Sequence, residues 1–161
     1  VTVLARAGLS ALHILALALG FASLWLRGLR LRELAQDRAN AATRSALLRA
    51  DNVWGLAALL WIATGLARVF AGEKTTDFYM RNGFFWVKMS LFLCVFLLEL
   101  RPMLAFIRWR LAKGRGGEAA IQELVAVAPL EAFRKTNDAE VVLVLLIPFA
   151  AALMARAAWL F

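Results

Sequence analysis

The sequence predicts an all-α integral membrane protein, a four-helix bundle with short interfacial amphipathic helices. Three observations carry that prediction. Of 161 residues, 63% are hydrophobic, and the mean hydropathy is +0.71. Soluble domains average only about 45–50% apolar. The apolar residues fall into four stretches, each near the roughly 20 residues a membrane helix needs. The charge is strongly positive, 19 Lys+Arg against 11 Asp+Glu for a net +8, and it gathers between those stretches. A disordered chain is excluded, since it would lack this content of Leu, Val, Ile and Phe. The whole of residues 1–161 reads as a single membrane domain.

Span one, about residues 5–26, holds twenty residues without formal charge between Arg6 and Arg27. As a helix they cover about 30 Å, the hydrocarbon thickness of a bilayer. No A-x-A-like cleavage site precedes a soluble domain, and further spans follow, so the segment reads as a retained span. Span two, about 52–71, has sixteen uncharged residues from Asn52 to Ala67. Arg68 lengthens it by snorkelling to the interface. Span three, about 82–107, is interrupted by Lys88, Glu99 and Arg101. Span four, about 140–160, contains Pro148 and, near its end, Arg156. A proline is tolerated in a membrane helix. No strand-like alternation competes with these spans.

The connections set the expected orientation. Residues 27–51 carry Arg27, Arg30, Arg32, Arg38, Arg44 and Arg49. Residues 108–140 carry Arg108, Arg110, Lys113, Arg115, Arg134 and Lys135. The connection 71–81 carries only Lys74 and Arg81. Twelve of nineteen basic residues thus fall in two connections on one side. The positive-inside rule puts that side in the cytoplasm and both termini outside. Anionic headgroups then account for the basic charge, and nucleic acid is not an expected partner. Leu29–Leu48 reads as an interfacial helix, as does Glu118–Val127 after the Gly114-Arg115-Gly116-Gly117 break. Pro129 starts another short helical stretch, with Asn137 or Asp138 as the cap before span four. Trp25, Trp54 and Trp109 at the inner boundary, and Tyr79, Trp86 and Trp159 at the outer one, suit aromatic belts. Trp61 is the exception, near the middle of span two.

Polar groups inside a bilayer point to function, because each charge costs about 2.5–3.5 kcal/mol at a helix centre on insertion scales. Cys94 is the single cysteine, which excludes an intrachain disulfide. His13 is the single histidine, which excludes HExxH and paired-His metal sites. The outer half holds His13, Arg68, Lys88 and Arg156. His13 follows a small-residue face with Ala16, Gly20, Ser23 and Arg27, which directs it into the bundle. Trp61, Gly65 and Arg68 share a face of span two. The inner boundary holds Asp51, Asn52, Glu99, Arg101 and Glu140. Lys88 and Glu99 are eleven residues apart, close to three turns, and share a face of span three. Asp51 is expected at the N-cap of span two, and Asp138 or Glu140 at that of span four, where the helix dipole favours a carboxylate. The structural alternatives are pairing with nearby arginines for the acids, and snorkelling for Arg68, Arg156 and Lys88. His13 suits either an interhelical hydrogen bond or a haem axial ligand. A nearby Arg or Lys would then pair with propionates. With one His per chain, a second iron ligand would be a Met, a water, a Lys such as Lys88, or a second subunit.

Several motifs carry a resemblance. They are Leu12-His13-Ile14-Leu15, Asp51-Asn52 with Trp54-Gly55-Leu56-Ala57, and Phe85-Trp86-Val87-Lys88-Met89. Further along come Glu99 to Met103, Pro148-Phe149 and Leu153-Met154-Ala155-Arg156. Together they resemble an uncharacterised bacterial inner-membrane family of about this length, a domain of unknown function. That resemblance implies a multi-pass protein of the bacterial inner (cytoplasmic) membrane and no particular chemistry. Leu12-His13-Ile14 and Trp86-x-Lys88 are also distantly similar to the group that includes the HemJ-type protoporphyrinogen oxidase and the CopD-like domain. That similarity implies haem b or porphyrin binding, with His13 as the iron ligand and Lys88 as a porphyrin or proton partner. This chain has no further His, and its loops differ in length.

Three function classes follow. The first is a haem- or porphyrin-binding redox protein using His13, Lys88, Arg68 and Trp86. The second is a small transporter or proton-coupled permease with Lys88, Glu99 and Asp51 along a polar path. The third is a structural or accessory membrane subunit. The lipid bilayer is a partner in all three. A homo-oligomer or membrane partner also suits them, since four spans enclose little interior and Gly/Ala faces invite close packing.

Overall fold

The computed structural model describes residues 2–71 and 74–156. The regular elements among them are α1 (Val3–Gln36), α2 (Ala41–Ala71), α3 (Thr76–Met80), α4 (Gly83–Ala126) and α5 (Leu130–Arg156). All except the short α3 are long and apolar enough to cross a membrane. Side-chain oxygens of Thr2, Thr75 and Asn82 accept the backbone N–H groups of Ala5, Phe78 and Phe84 at the starts of α1, α3 and α4. These caps satisfy donors that a helix leaves unpaired in its first turn.

Short turns make neighbouring helices antiparallel. Residues 37–40 join α1 to α2, where Asn40 Oδ1 accepts the Thr43 N–H at 2.9 Å. Residues 127–129 join α4 to α5. α1 packs along α2 and α5, and α5 along α4, whereas α2 and α4 meet at few points. One side of the bundle, between α2 and α4, is therefore open. Outward-facing Leu12, Leu15, Leu59, Phe96 and Cys94 are exposed, as suits helices solvated by lipid. The two basic connections lie together at one end of the bundle, the basic end, opposite the terminal end.

The helices run past the hydrocarbon thickness. The 34 residues of α1 extend about 50 Å. The surplus forms a second core at the basic end, where Leu31, Leu34, Leu47, Phe106, Trp109 and Phe133 are buried together. This corrects the expectation of separate interfacial helices, since Leu29–Gln36 simply continues α1 and Ala41–Leu48 begins α2. The expected glycine break is present. Gly117 has φ 67 and ψ −155 inside α4, a conformation that favours glycine, and beyond it Ile121 and Val125 join the same core. Glu118 accepts from Lys113 at 2.6 Å and Arg44 at 2.5 Å across this break. Those two hydrogen bonds, Lys113's first, hold the Glu118 carboxyl below the usual carboxylate range. Arg38 donates to the carbonyls of Val125, Ala126 and Ala128 at 2.8–3.0 Å, of which Val125 and Ala128 also accept from the backbone N–H groups of Ala128 and Leu130.

The long helices also move the expected caps. Asp51 lies inside α2, and Asn137, Asp138 and Glu140 lie inside α5, because both helices start well before the apolar run does. Trp25 and Trp86 are exposed, as belt residues are. Trp54, Trp109 and Tyr79 instead are core residues. Trp159 lies outside the described residues. Trp54 packs on Gly20 so closely that a Cβ there would stand 3.1 Å from the indole ring. The small-residue face of α1 is thus filled by α2 within the chain and is not left open for a partner.

Candidate functional site

Two polar centres occupy the interior at different depths. Nearer the terminal end is His13 of α1, 9% exposed. Its Nδ1 lies 2.9 Å from Thr64 Oγ1 of α2. The Thr64 hydroxyl has one proton and a carbonyl to give it to, that of Leu60 at 2.8 Å. When it does so it accepts from His13, and in that tautomer the imidazole proton is on Nδ1 and Nε2 carries the lone pair. The imidazole lies tilted by 34° against Trp61, with centroids 5.8 Å apart. Gly65 makes room for it, since a Cβ there would sit 3.3 Å from His13 Cε1.

Two adjoining cavities of about 190 and 220 Å³ share His13, Trp61, Gly65, Phe85 and Lys88 in their walls, and Arg68 lines the larger. Three basic side chains from α1, α2 and α4 thus face one space, and among the described residues no carboxylate lines it. The shared face expected for Trp61, Gly65 and Arg68 is the wall of this space. Trp86 is not part of it. It is exposed, with Nε1 donating to the Met80 carbonyl at 2.9 Å, because residues two apart on a helix point to different faces.

The second centre is built on Arg27, which is fully buried. Its Nε donates to Asn137 Oδ1 of α5 at 2.8 Å. Its Nη1 donates to Asp51 Oδ1 of α2 at 3.1 Å and to Glu99 Oε1 of α4 at 2.8 Å. Its Nη2 donates to Glu140 Oε2 of α5. Arg110 completes the group by donating to Asp51 Oδ2 at 2.5 Å. One guanidinium therefore ties all four long helices together. Charge density alone assigned Arg27 to the first connection as a topology marker, and the structure corrects that. The signal for its burial was its register with His13, Ala16, Gly20 and Ser23, all of which are buried. Asn137 was missed as a partner. Gly28 makes room for it, since a Cβ there would stand 2.7 Å from Asn137 Nδ2.

A third cavity, about 280 Å³, lies between α2 and α4. Asp51, Trp54 and Glu99 line one part of it, and Trp61, Ile62 and Phe92, which also line the His13 space, another. The open side of the bundle is thus a groove with basic groups at one end and carboxylates at the other. Lys88 and Glu99 both line it, as their shared face predicts. Asn52, Arg101 and Arg156 are exposed and join neither centre. Among the described residues, no group of three or more His, Cys, Asp or Glu could hold a metal ion.

The chain belongs to the family described as predicted membrane protein DUF2214, whose model matches residues 5–158. No curated protein and no solved structure matches it. Family membership agrees with the four apolar helices and assigns no activity.

Proposed function

We propose that this protein takes an amphipathic, anionic ligand from the bilayer into the groove between α2 and α4, with haem b or a porphyrin as the ligand class that uses every group present. The observation behind this reading is that His13, Arg68 and Lys88 converge on one aromatic-walled space. In the tautomer protonated at Nδ1, Nε2 of His13 is the type of atom that ligates haem iron. Arg68 and Lys88 suit propionates through charge-assisted hydrogen bonds. Trp61, Phe85 and Phe92 offer apolar walls to a flat ring. Met80 and Met89 line the same space and would offer thioether ligands to a bound iron. Bound haem would supply one-electron redox chemistry. In this reading the basic end faces the cytoplasm of a bacterial inner membrane, so the His13 space opens in the outer half.

Haemin titration of the purified protein tests the proposal. The expected result is a Soret band saturating at one haem per chain and lost or shifted in His13→Ala. Loss of one charge-assisted bond in Lys88→Ala or Arg68→Ala should weaken binding about tenfold, for about 1.4 kcal/mol. Protein that takes up no haemin, or a His13→Ala variant with an unchanged band, refutes it. The opposite charges at the two ends of the groove favour one further reading, a small transporter or proton-coupled permease. It expects altered flux in proteoliposomes for Lys88→Gln and Glu99→Gln, and unchanged flux in both removes it.

A further inference from the structure

The Arg27 centre is unbalanced in charge. It holds three carboxyl groups, Asp51, Glu99 and Glu140, against two guanidinium groups, Arg27 and Arg110. With every group ionised, one negative charge would be left over. The core of the centre is nearly dry, since the Arg27 and Glu140 side chains are 1% and 0% exposed and those of Asp51 and Glu99 are 8% and 14%, with Arg110 at its edge 29% exposed. An uncompensated charge is strongly disfavoured in such surroundings.

The hydrogen bonds locate the excess. Asp51 is satisfied on both oxygens, by Arg27 and by Arg110. Glu99 Oε1 and Glu140 Oε2 each accept from Arg27. The other oxygen of each, Glu99 Oε2 and Glu140 Oε1, is buried without any donor. The two carboxyl groups reach the same guanidinium from α4 and α5. From α5, Asn137 offers its Oδ1 to Arg27 Nε, and from α4, Arg110 reaches Asp51 and the Leu48 carbonyl. Neither serves the two bare oxygens.

We propose that Glu99 and Glu140 share one proton, held between Glu99 Oε2 and Glu140 Oε1, and that this acid pair is an exchangeable proton-binding site inside the bundle. One proton gives both bare oxygens a partner and removes the excess charge at the same time. A metal ion would balance the charge but lacks ligands. Hard cations take about six or more oxygens, and only two are unengaged here. Exchange runs through Glu99, which lines the groove cavity, while Glu140 is sealed behind it. The site does not depend on the ligand proposed for the His13 space.

Infrared spectroscopy of the whole chain in lipid reads a protonated carboxyl directly through its C=O stretch. The wild type at neutral pH is expected to show such a band. It should shift in D2O and with 13C-labelled glutamate, and it should not move with 13C-labelled aspartate. Glu99→Gln and Glu140→Gln should each abolish it, and Glu118→Gln should leave it in place. A folded wild type with no such band overturns the proposal, as does a band that moves with aspartate or survives in both variants. Should either variant fail to fold, the labelling of the wild type alone decides. Thermal stabilisation by sodium or potassium in the absence of the band would assign the site to a cation and equally overturn it.

Discussion

Replacing Arg27 by Met keeps much of the side chain's length and removes its charge. Arg27 makes four side-chain hydrogen bonds to residues on three other helices. Bonds of this charged type contribute about 1.5–3 kcal/mol each, so plain addition gives about 6–12 kcal/mol. That sum is too large, because the variant no longer has to dehydrate a guanidinium and its carboxyl groups can take up protons. Truncating one partner of a buried ion pair costs about 3–5 kcal/mol, and Arg27→Met is expected in that range. Reversible unfolding in mixed micelles by SDS, followed by circular dichroism and tryptophan emission, measures it. Arg30→Met is the control. Its side chain is 38% exposed and pairs with Glu33 three residues away, so its loss should stay within about 1 kcal/mol. Adding Glu140→Gln to Arg27→Met removes one of the stranded carboxylates and should restore more than about 1 kcal/mol, as contacting residues couple. An Arg27→Met loss below about 1 kcal/mol, or equal to that of Arg30→Met, would refute the argument that this centre holds the helices together.

Other expectations follow from the same geometry. Gly28→Ala places a Cβ 2.7 Å from Asn137 Nδ2 and should destabilise by about 1–3 kcal/mol. Gly55→Ala meets nothing within 4 Å and should be neutral or slightly stabilising in the same SDS titration. Arg38→Ala removes the donor shared by the carbonyls of Val125, Ala126 and Ala128, of which Val125 and Ala128 keep a backbone partner. Limited proteolysis should then cut the 127–129 turn faster, with a loss of about 1–3 kcal/mol. For Glu118 the folded carboxyl is depressed by Lys113 and Arg44. Its contribution is therefore present above the unfolded carboxyl's titration range and is lost as pH falls through the folded one. A 13C-carboxyl NMR titration should place its midpoint below that of an exposed glutamate, and Arg44→Ala should move it back up. A midpoint unmoved by that substitution would dismiss the clasp across Gly117.

Much of the membrane architecture could be read along the chain. The four apolar helices, the glycine break at Gly117 and the inward face of His13, Ala16, Gly20 and Ser23 each depend on a few neighbouring residues. The ends of the helices were less legible. Asp51 and Asn137 resemble caps when the apolar run is taken as the helix. The helices in fact extend beyond that run, because the basic-end turns are short and a second core around Phe106 and Trp109 buries the extra length. For the same reason Trp54 and Trp109, at apparent interface positions, belong to the interior.

Composition and run length by themselves determined the class of molecule, because crossing a bilayer requires only a sufficient stretch of apolar helix. Periodicity further put Lys88 and Glu99 on one face and His13 inside. Only the tertiary structure decided which charges are interior and which mark the surface. Arg27 counts as one basic residue among several in its segment. Its acidic partners lie 24, 72 and 113 residues further along. The free energy that makes its burial tolerable comes from those distant carboxylates and from Asn137, and no local pattern of residues contains them.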